Sequence, residues 1–135
     1  MKTKISILLI TLAVIISCKQ NQFADNSKVT KGMIKVTLLY ENGEGKTFDM
    51  DYYANKHMPM VAELLGDSLQ YYKIDKGISG RTAEEPIPYL AIGYLYFDQL
   101  SAYQNSFGLV AEKIIGDIPN YTNIQPVVQI SEVMK

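Results

Sequence analysis

Apolar residues fall into four short β-type runs and two helical faces. The run 33–40 (MIKVTLLY) is rich in β-formers and predicts a first strand. Asn42-Gly43-Glu44-Gly45 is a turn cluster that ends it. Asp49 then stands as a plausible helix N-cap, with Phe48 before it as a staple residue. Tyr53, His57, Val61 and Leu64 follow at spacings of four, four and three, so they share one helical face. Leu65-Gly66 stops this helix, and Pro59 should bend or restart it near Met58. Residues 69–79 (LQYYKIDKGIS) predict a second strand, and 80–88 (GRTAEEPIP) a loop. Residues 89–97 (YLAIGYLYF) form the strongest strand pattern in the chain. Asp98 is a second candidate N-cap. Leu100, Tyr103, Phe107, Val110 and Ile114 line one face of a second helix, which Gly108 is expected to interrupt. Residues 116–120 turn the chain into a last strand over 123–133, where Pro126 marks an edge or a bulge.

The resulting order, β-α-β-β-α-β, predicts an α+β domain of ferredoxin-like type: a four-stranded antiparallel sheet with two helices on one face. Within strand three, Leu90, Ile92, Tyr94 and Tyr96 point one way, and Tyr89, Ala91, Gly93, Leu95 and Phe97 the other. Both sides are apolar, yet two helices cover only one. The economical cover for the second face is another copy of the sheet. The pattern therefore predicts a homodimer in which two sheets close a shared α+β barrel.

The N-terminus has a different pattern. Lys2 and Lys4 precede an apolar run from Ile5 to Ile16, the layout of a secretory signal and too short for a comfortable membrane span. It ends in Ile15-Ile16-Ser17-Cys18, which resembles the bacterial lipobox. The expectation is a lipoprotein signal over 1–17, a lipidated Cys18 and flexible tether over 18–32, and one domain over 33–135. Such a protein would sit in the bacterial cell envelope, held at a membrane by its lipid anchor.

Composition narrows the possible functions. The chain has 135 residues, enough for one domain, with 20% charged and 47% hydrophobic residues. Removing residues 1–17 takes two lysines and no acid from the 13 basic and 14 acidic residues, leaving a mature net charge of −3. That balance, with no Lys/Arg cluster, argues against nucleic acid as a partner. A single cysteine excludes an intramolecular disulfide and a Cys-rich metal site. No Gly-x-Gly-x-x-Gly, phosphate loop or Gly-x-Ser-x-Gly is present.

The segment from Phe48 to Met60 (FDMDYYANKHMPM) resembles the signature of the EthD family, an aromatic-rich helix start with Tyr-x-x-x-His-x-Pro. MIKVTLLYENGEG before it, and YYKIDKGISG, PIPYLAIGYLYFD and DIPNYTNIQPVVQISEV after it, look like the family's flanking segments. The resemblance spans 33–135. It implies a dimeric α+β barrel, a link to ether degradation operons, and an oxidoreductase label of loosely defined chemistry. It also places His57 near a barrel cavity. An export signal departs from the cytoplasmic members of that family.

His57 is the only histidine, and an imidazole is the side chain that shuttles protons near neutrality. Read with the resemblance, His57 is a candidate acid/base and Tyr53, one turn earlier, its orienting partner. The competing reading is a core histidine with an amphipathic tyrosine beside it. Ten tyrosines accompany no tryptophan. Tyr94 and Tyr96 on strand three, with Tyr71 on strand two, are candidates to line an aromatic cavity for a small apolar or aromatic molecule. Dimer packing would use the same residues equally well. Asp49 and Asp51 need no role beyond capping. Arg81 can clamp an anion or simply be solvated. No metal site and no cofactor is expected, a haem on His57 being the one cofactor its imidazole leaves open. The expected activity is cofactor-independent oxidoreductase or isomerase-type chemistry; the alternative is a non-catalytic envelope protein that binds a small ligand or haem.

Overall fold

The computed structural model describes residues 29–135. The predicted signal, Cys18 and most of the tether lie outside the described residues. The elements follow the expected order. Strand β1 (Ile34–Glu41) leads to helix α1 (Met50–Tyr52), a π-helical turn (Tyr53–His57) and helix α2 (Met58–Leu65). Strands β2 (Tyr71–Lys76) and β3 (Tyr89–Phe97) follow, then helix α3 (Leu100–Asp117), a 3-10 turn (Ile118–Asn120) and strand β4 (Val127–Glu132). The sheet order is β2-β3-β1-β4 and every pairing is antiparallel. This is the ferredoxin-like arrangement.

Register decides the two faces. β1 pairs with β3 through Val36↔Leu95 and Leu38↔Gly93, and β3 with β2 through Leu95↔Tyr72 and Gly93↔Ile74. In antiparallel sheets directly paired residues share a face. Val36, Tyr40, Ala91, Leu95 and Phe97 are buried with Met58, Val61, Leu65, Ile114 and Ile118 of the helical layer in one core. Each large side chain buried there contributes about 1.5–3 kcal/mol. Backbone bonds just beyond Ile34 and Glu132 extend the β1–β4 pairing. Gly32 N–H donates to the Val133 carbonyl at 2.8 Å, and Val133 N–H to that of Met33 at 2.8 Å.

Three local expectations change. Strands two and four are shorter than their apolar patterns, because pairing with β3 and β1 stops at Lys76 and begins at Val127. Gln99, with an extended backbone (φ −153°, ψ 157°), caps α3 in place of Asp98 and makes no side-chain capping bond. Gly108 does not interrupt α3. It lies on the solvent side, and Phe107 and Val110 pack against the core on either side of it. A glycine there costs about 1 kcal/mol of helix propensity, which that packing outweighs.

Candidate functional site

Asp49 starts the site. Its Oδ1 accepts from Tyr52 N–H at 2.9 Å, as the sequence predicts for an N-cap, and its own N–H donates to the Tyr121 carbonyl at 2.7 Å. The helix then widens. Met58 N–H donates to the Tyr53 carbonyl, five residues back, which defines the π turn. Pro59 follows, with no N–H to donate, so the expected irregularity near Met58 is a π turn. Within this turn the Tyr53 and His57 rings stack at 5.6 Å with an interplanar angle of 17°.

The segment after α3 reaches the same place by side-chain staples. Thr122 Oγ1 donates to the Thr47 carbonyl at 2.6 Å, and Thr47 N–H donates to Asn123 Oδ1 at 2.9 Å. Asn123 Nδ2 donates to the Gly45 carbonyl at 2.8 Å. These bonds hold Asp117 and Tyr121 against the Tyr53–His57 turn.

His57 is 3% exposed. Its Nδ1 bonds Asp117 Oδ2 at 2.8 Å, and its Nε2 faces the Tyr121 hydroxyl at a longer 3.4 Å. Tyr121 and Tyr40 hydroxyls lie 2.8 Å apart. Asp117 Oδ1 accepts from Tyr52 Oη at 3.0 Å and from Asn120 Nδ2 at 2.8 Å. Burial lowers the His57 pKa from its ordinary value, and this outweighs the opposing pull of Asp117. Burial pushes Asp117 upward, but the hydrogen bonds from His57, Asn120 and Tyr52 outweigh it and hold the carboxyl below its ordinary value. His57 is therefore neutral at pH 7 and Asp117 ionised. A carboxylate can only accept, so the imidazole proton sits on Nδ1 and the lone pair on Nε2. The Tyr121 hydroxyl then donates to Nε2, and that of Tyr40 to Tyr121. Burial drives the Tyr121 phenol pKa far upward, with Tyr40 adding to it, so Tyr121 remains a neutral donor.

Tyr53 has a different place from the one expected. It is completely buried, and its hydroxyl has no hydrogen-bond partner among the described residues. The hydroxyl abuts Gly93 of β3, where an added Cβ would lie 2.2 Å from it. Tyr53 thus supports the His57 ring by stacking, and Asp117 orients it by hydrogen bonding. Sequence reasoning missed Asp117 and Tyr121, which lie 60 and 64 residues from His57. No local spacing signals such a distant partner.

Tyr71, Tyr94 and Tyr96 lie on the sheet face turned away from the helices. Tyr96 pairs with Tyr71, whose ring stacks on it at 4.3 Å, and Tyr94 pairs with Lys73 and Thr37. They do not line one cavity with His57: the sheet stands between. The strand period of two placed the tyrosines together correctly, but it cannot say which side the helices choose. The Lys35 ammonium stands 5.9 Å from the Tyr94 ring.

A surface hollow of about 420 Å³ opens beside the His57–Asp117 dyad, with Asn120 and Tyr121, which bond its two members, in its walls. It is lined by Phe48, Asp49, Pro119, Asn120, Tyr121 and the Thr47–Thr122–Asn123 staple. His57 is not among its walls; Tyr121 belongs to both. Among the described residues no cluster of His, Cys, Asp or Glu could hold a metal ion. The His57 surroundings do not fit a haem either, because Nδ1 is committed to Asp117 and Tyr121 covers Nε2.

Comparison with known proteins agrees with the fold. The family model described as EthD domain matches residues 42–125. An EthD-like protein from Ralstonia eutropha is 40% identical, covers 76% of this chain and 93% of its own, and superposes with a TM-score of 0.72. An ethyl tert-butyl ether D (EthD) family protein from Bacillus halodurans is 20% identical over 76% of this chain and 99% of its own. It shares the fold, with a TM-score of 0.55. No curated protein matches the chain. Motif, element order and 40% identity over nearly a whole solved relative agree: the chain belongs to the EthD family.

Proposed function

We propose that this EthD-family domain binds a small, largely apolar molecule and moves a proton on it. His57 is the acid–base group and Asp117 the residue that orients it. The 2.8 Å bond from His57 Nδ1 to Asp117 carries the reading. It fixes the tautomer, leaves a basic nitrogen at Nε2, and does so on a ring that is neutral at pH 7. Proton transfer is the part of any oxidoreductase-like or isomerase-type reaction that these side chains supply.

The test is hydrogen–deuterium exchange at carbons next to a carbonyl, read by NMR on phenylacetone, acetophenone and cyclohexanone in D₂O. The protein should accelerate exchange on at least one of them. His57→Gln should lower that rate by at least about 100-fold, the usual scale of general-base catalysis. No acceleration across the neutral range would leave a ligand-binding domain without this chemistry.

Two further parts of the reading concern the molecule's setting. The open sheet face carries half-buried Leu39, Ile92 and Tyr94 without a helical cover, which supports a homodimer built on that face. The N-terminal pattern supports a lipid on Cys18 that holds the domain at a membrane in the bacterial envelope. Cys18→Ser should move the protein from the detergent phase to the aqueous phase on Triton partitioning. Unchanged partitioning would remove the anchor.

A further inference from the structure

We propose that the hollow between residues 47–49 and 119–123 is the port by which a small neutral ligand reaches His57, with the Tyr121 ring as its shutter. The inference rests on the acid–base reading of His57 and adds the route and the ligand class.

Three observations converge on Tyr121. First, of the two His57 nitrogens only Nε2 lacks a short bond, and the atom facing it is the Tyr121 hydroxyl at 3.4 Å. Second, Tyr121 is also a wall of the hollow. Tyr121 therefore borders both the basic nitrogen and the surface opening. Third, Tyr121 sits just past the 3-10 turn Ile118–Asn120, so its side chain is carried on a connecting segment and not inside a long helix or strand. The other bond holding its hydroxyl, from Tyr40 at 2.8 Å, is between two neutral phenols. Such a bond is worth on the order of 1 kcal/mol net; the rest of the hold on the ring is packing against Tyr40, Phe48, Tyr52, Tyr53 and His57, which the apolar body of an entering ligand has to replace.

The walls define what can enter. A volume of 420 Å³ lies within the range of small-molecule sites, about 300–1,000 Å³. Phe48, Pro119 and Tyr121 offer flat apolar surface, while Asn120, Thr47 and Thr122 bring polar groups. Asp49 stands on the rim and Asp117 lies behind Tyr121, with both of its oxygens engaged. These two acids repel an anion. The class that fits is a neutral molecule with an apolar body and one carbonyl or hydroxyl, the polar atom taking over the position of the Tyr121 hydroxyl at Nε2.

Because His57 is the sole histidine, its accessibility can be read without any turnover. Diethyl pyrocarbonate acylates unprotonated imidazole, and its ultraviolet difference band on tag-free protein reports His57 alone. Thr47→Trp and Pro119→Trp fill the hollow from opposite walls without touching the dyad. Each should slow the modification at least about tenfold, since access limits reaction of a buried group. Tyr121→Ala should speed it by a similar factor. Thr37→Trp, on the open sheet face, should leave it unchanged. Folding of each variant is checked by the thermal transition, and the two filling variants guard against the failure of one. Rates unaltered in both filling variants, or slowed by Thr37→Trp instead, would overturn the port. If His57→Gln abolishes ketone exchange while the filling variants do nothing, the acid–base reading stands and the port falls. If the filling variants slow modification while the wild type exchanges no ketone, the port stands and the chemistry falls.

Discussion

The two faces of one sheet use tyrosine in opposite ways. On the helix side, Tyr40, Tyr53 and Tyr121 are buried and pack around Phe48 and His57, edge-on or tilted except for Tyr53 stacked on His57, with ring centroids 4.5 to 6.0 Å apart. Their hydroxyls are either chained, as in Tyr40–Tyr121–His57, or left without a partner, as in Tyr53. On the open side, Tyr71, Tyr94 and Tyr96 lie beside Lys35, Lys73 and Asp75. There the rings make a broad amphipathic surface instead of a polar network. Composition alone would treat these tyrosines as one resource. Tyrosine offers a large apolar body with one polar tip, and the surroundings decide which part matters.

The sharpest way to break the helix side is through Gly93, the contact between β3 and Tyr53. Gly93→Ala would put a Cβ 2.2 Å from the Tyr53 hydroxyl and should cost about 3 kcal/mol, the upper range for overpacking. Thermal denaturation reads it. Tyr53→Phe in the same chain should restore most of that loss, because it removes the clashing oxygen, which has no partner to lose. Failure of the rescue would mean that the strain lies elsewhere. On the open side, Leu39→Arg, whose cross-strand neighbours Ile92 and Val127 offer no acid, should leave the fold intact and weaken self-association of the proposed dimer at least about a hundredfold, since an unpaired charge would be buried in its interface. Sedimentation over a concentration series checks it, and a wild-type protein that is monomeric throughout would remove the dimer.

A smaller effect separates Asp117 from the packing around it. Asp117→Ala leaves Tyr52, His57 and Asn120 without their shared acceptor and should cost about 2 kcal/mol. The His57 nitrogen NMR signals should lose their single-tautomer pattern at the same time, which a purely steric defect would not produce. The mildest test is pH. Both members of the pair titrate below their unfolded-state values, 6.5 for His57 and 3.8 for Asp117. Their stabilisation is therefore complete above those values. It declines first as pH falls below 6.5 through the folded His57 value, and again below 3.8 through that of Asp117. His57→Gln should flatten the first decline and leave the second. Increasing stability on acidification from neutrality would contradict the neutral, buried imidazole.

Much of the fold is legible in the sequence because its signals are local. The run 89–97 reads as a strand, and the structure has β3 at Tyr89–Phe97. Asp49 caps its helix as its position suggests, since a cap needs only the N–H groups two or three residues on. Strand ends were harder. The apolar patterns at 69–79 and 123–133 outrun β2 and β4, because a strand extends only as far as a partner pairs with it. The site was half legible. A lone histidine one turn after a tyrosine marked the spot. Its real partners, Asp117 and Tyr121, come from the other end of the domain.

By itself the sequence determined the order of elements, the face-sharing of Tyr53 with His57 and of Tyr94 with Tyr96, and the family signature around His57. Each depends on periods of two or 3.6 residues, which any short window contains. The tertiary structure alone decided which side of the sheet the helices cover, and so that His57 and the Tyr94–Tyr96 pair stand apart. It alone brought Asp117 and Tyr121 to the imidazole. Those outcomes depend on chain crossings and hydrogen bonds spanning 60 or more residues, for which a linear pattern carries no distance.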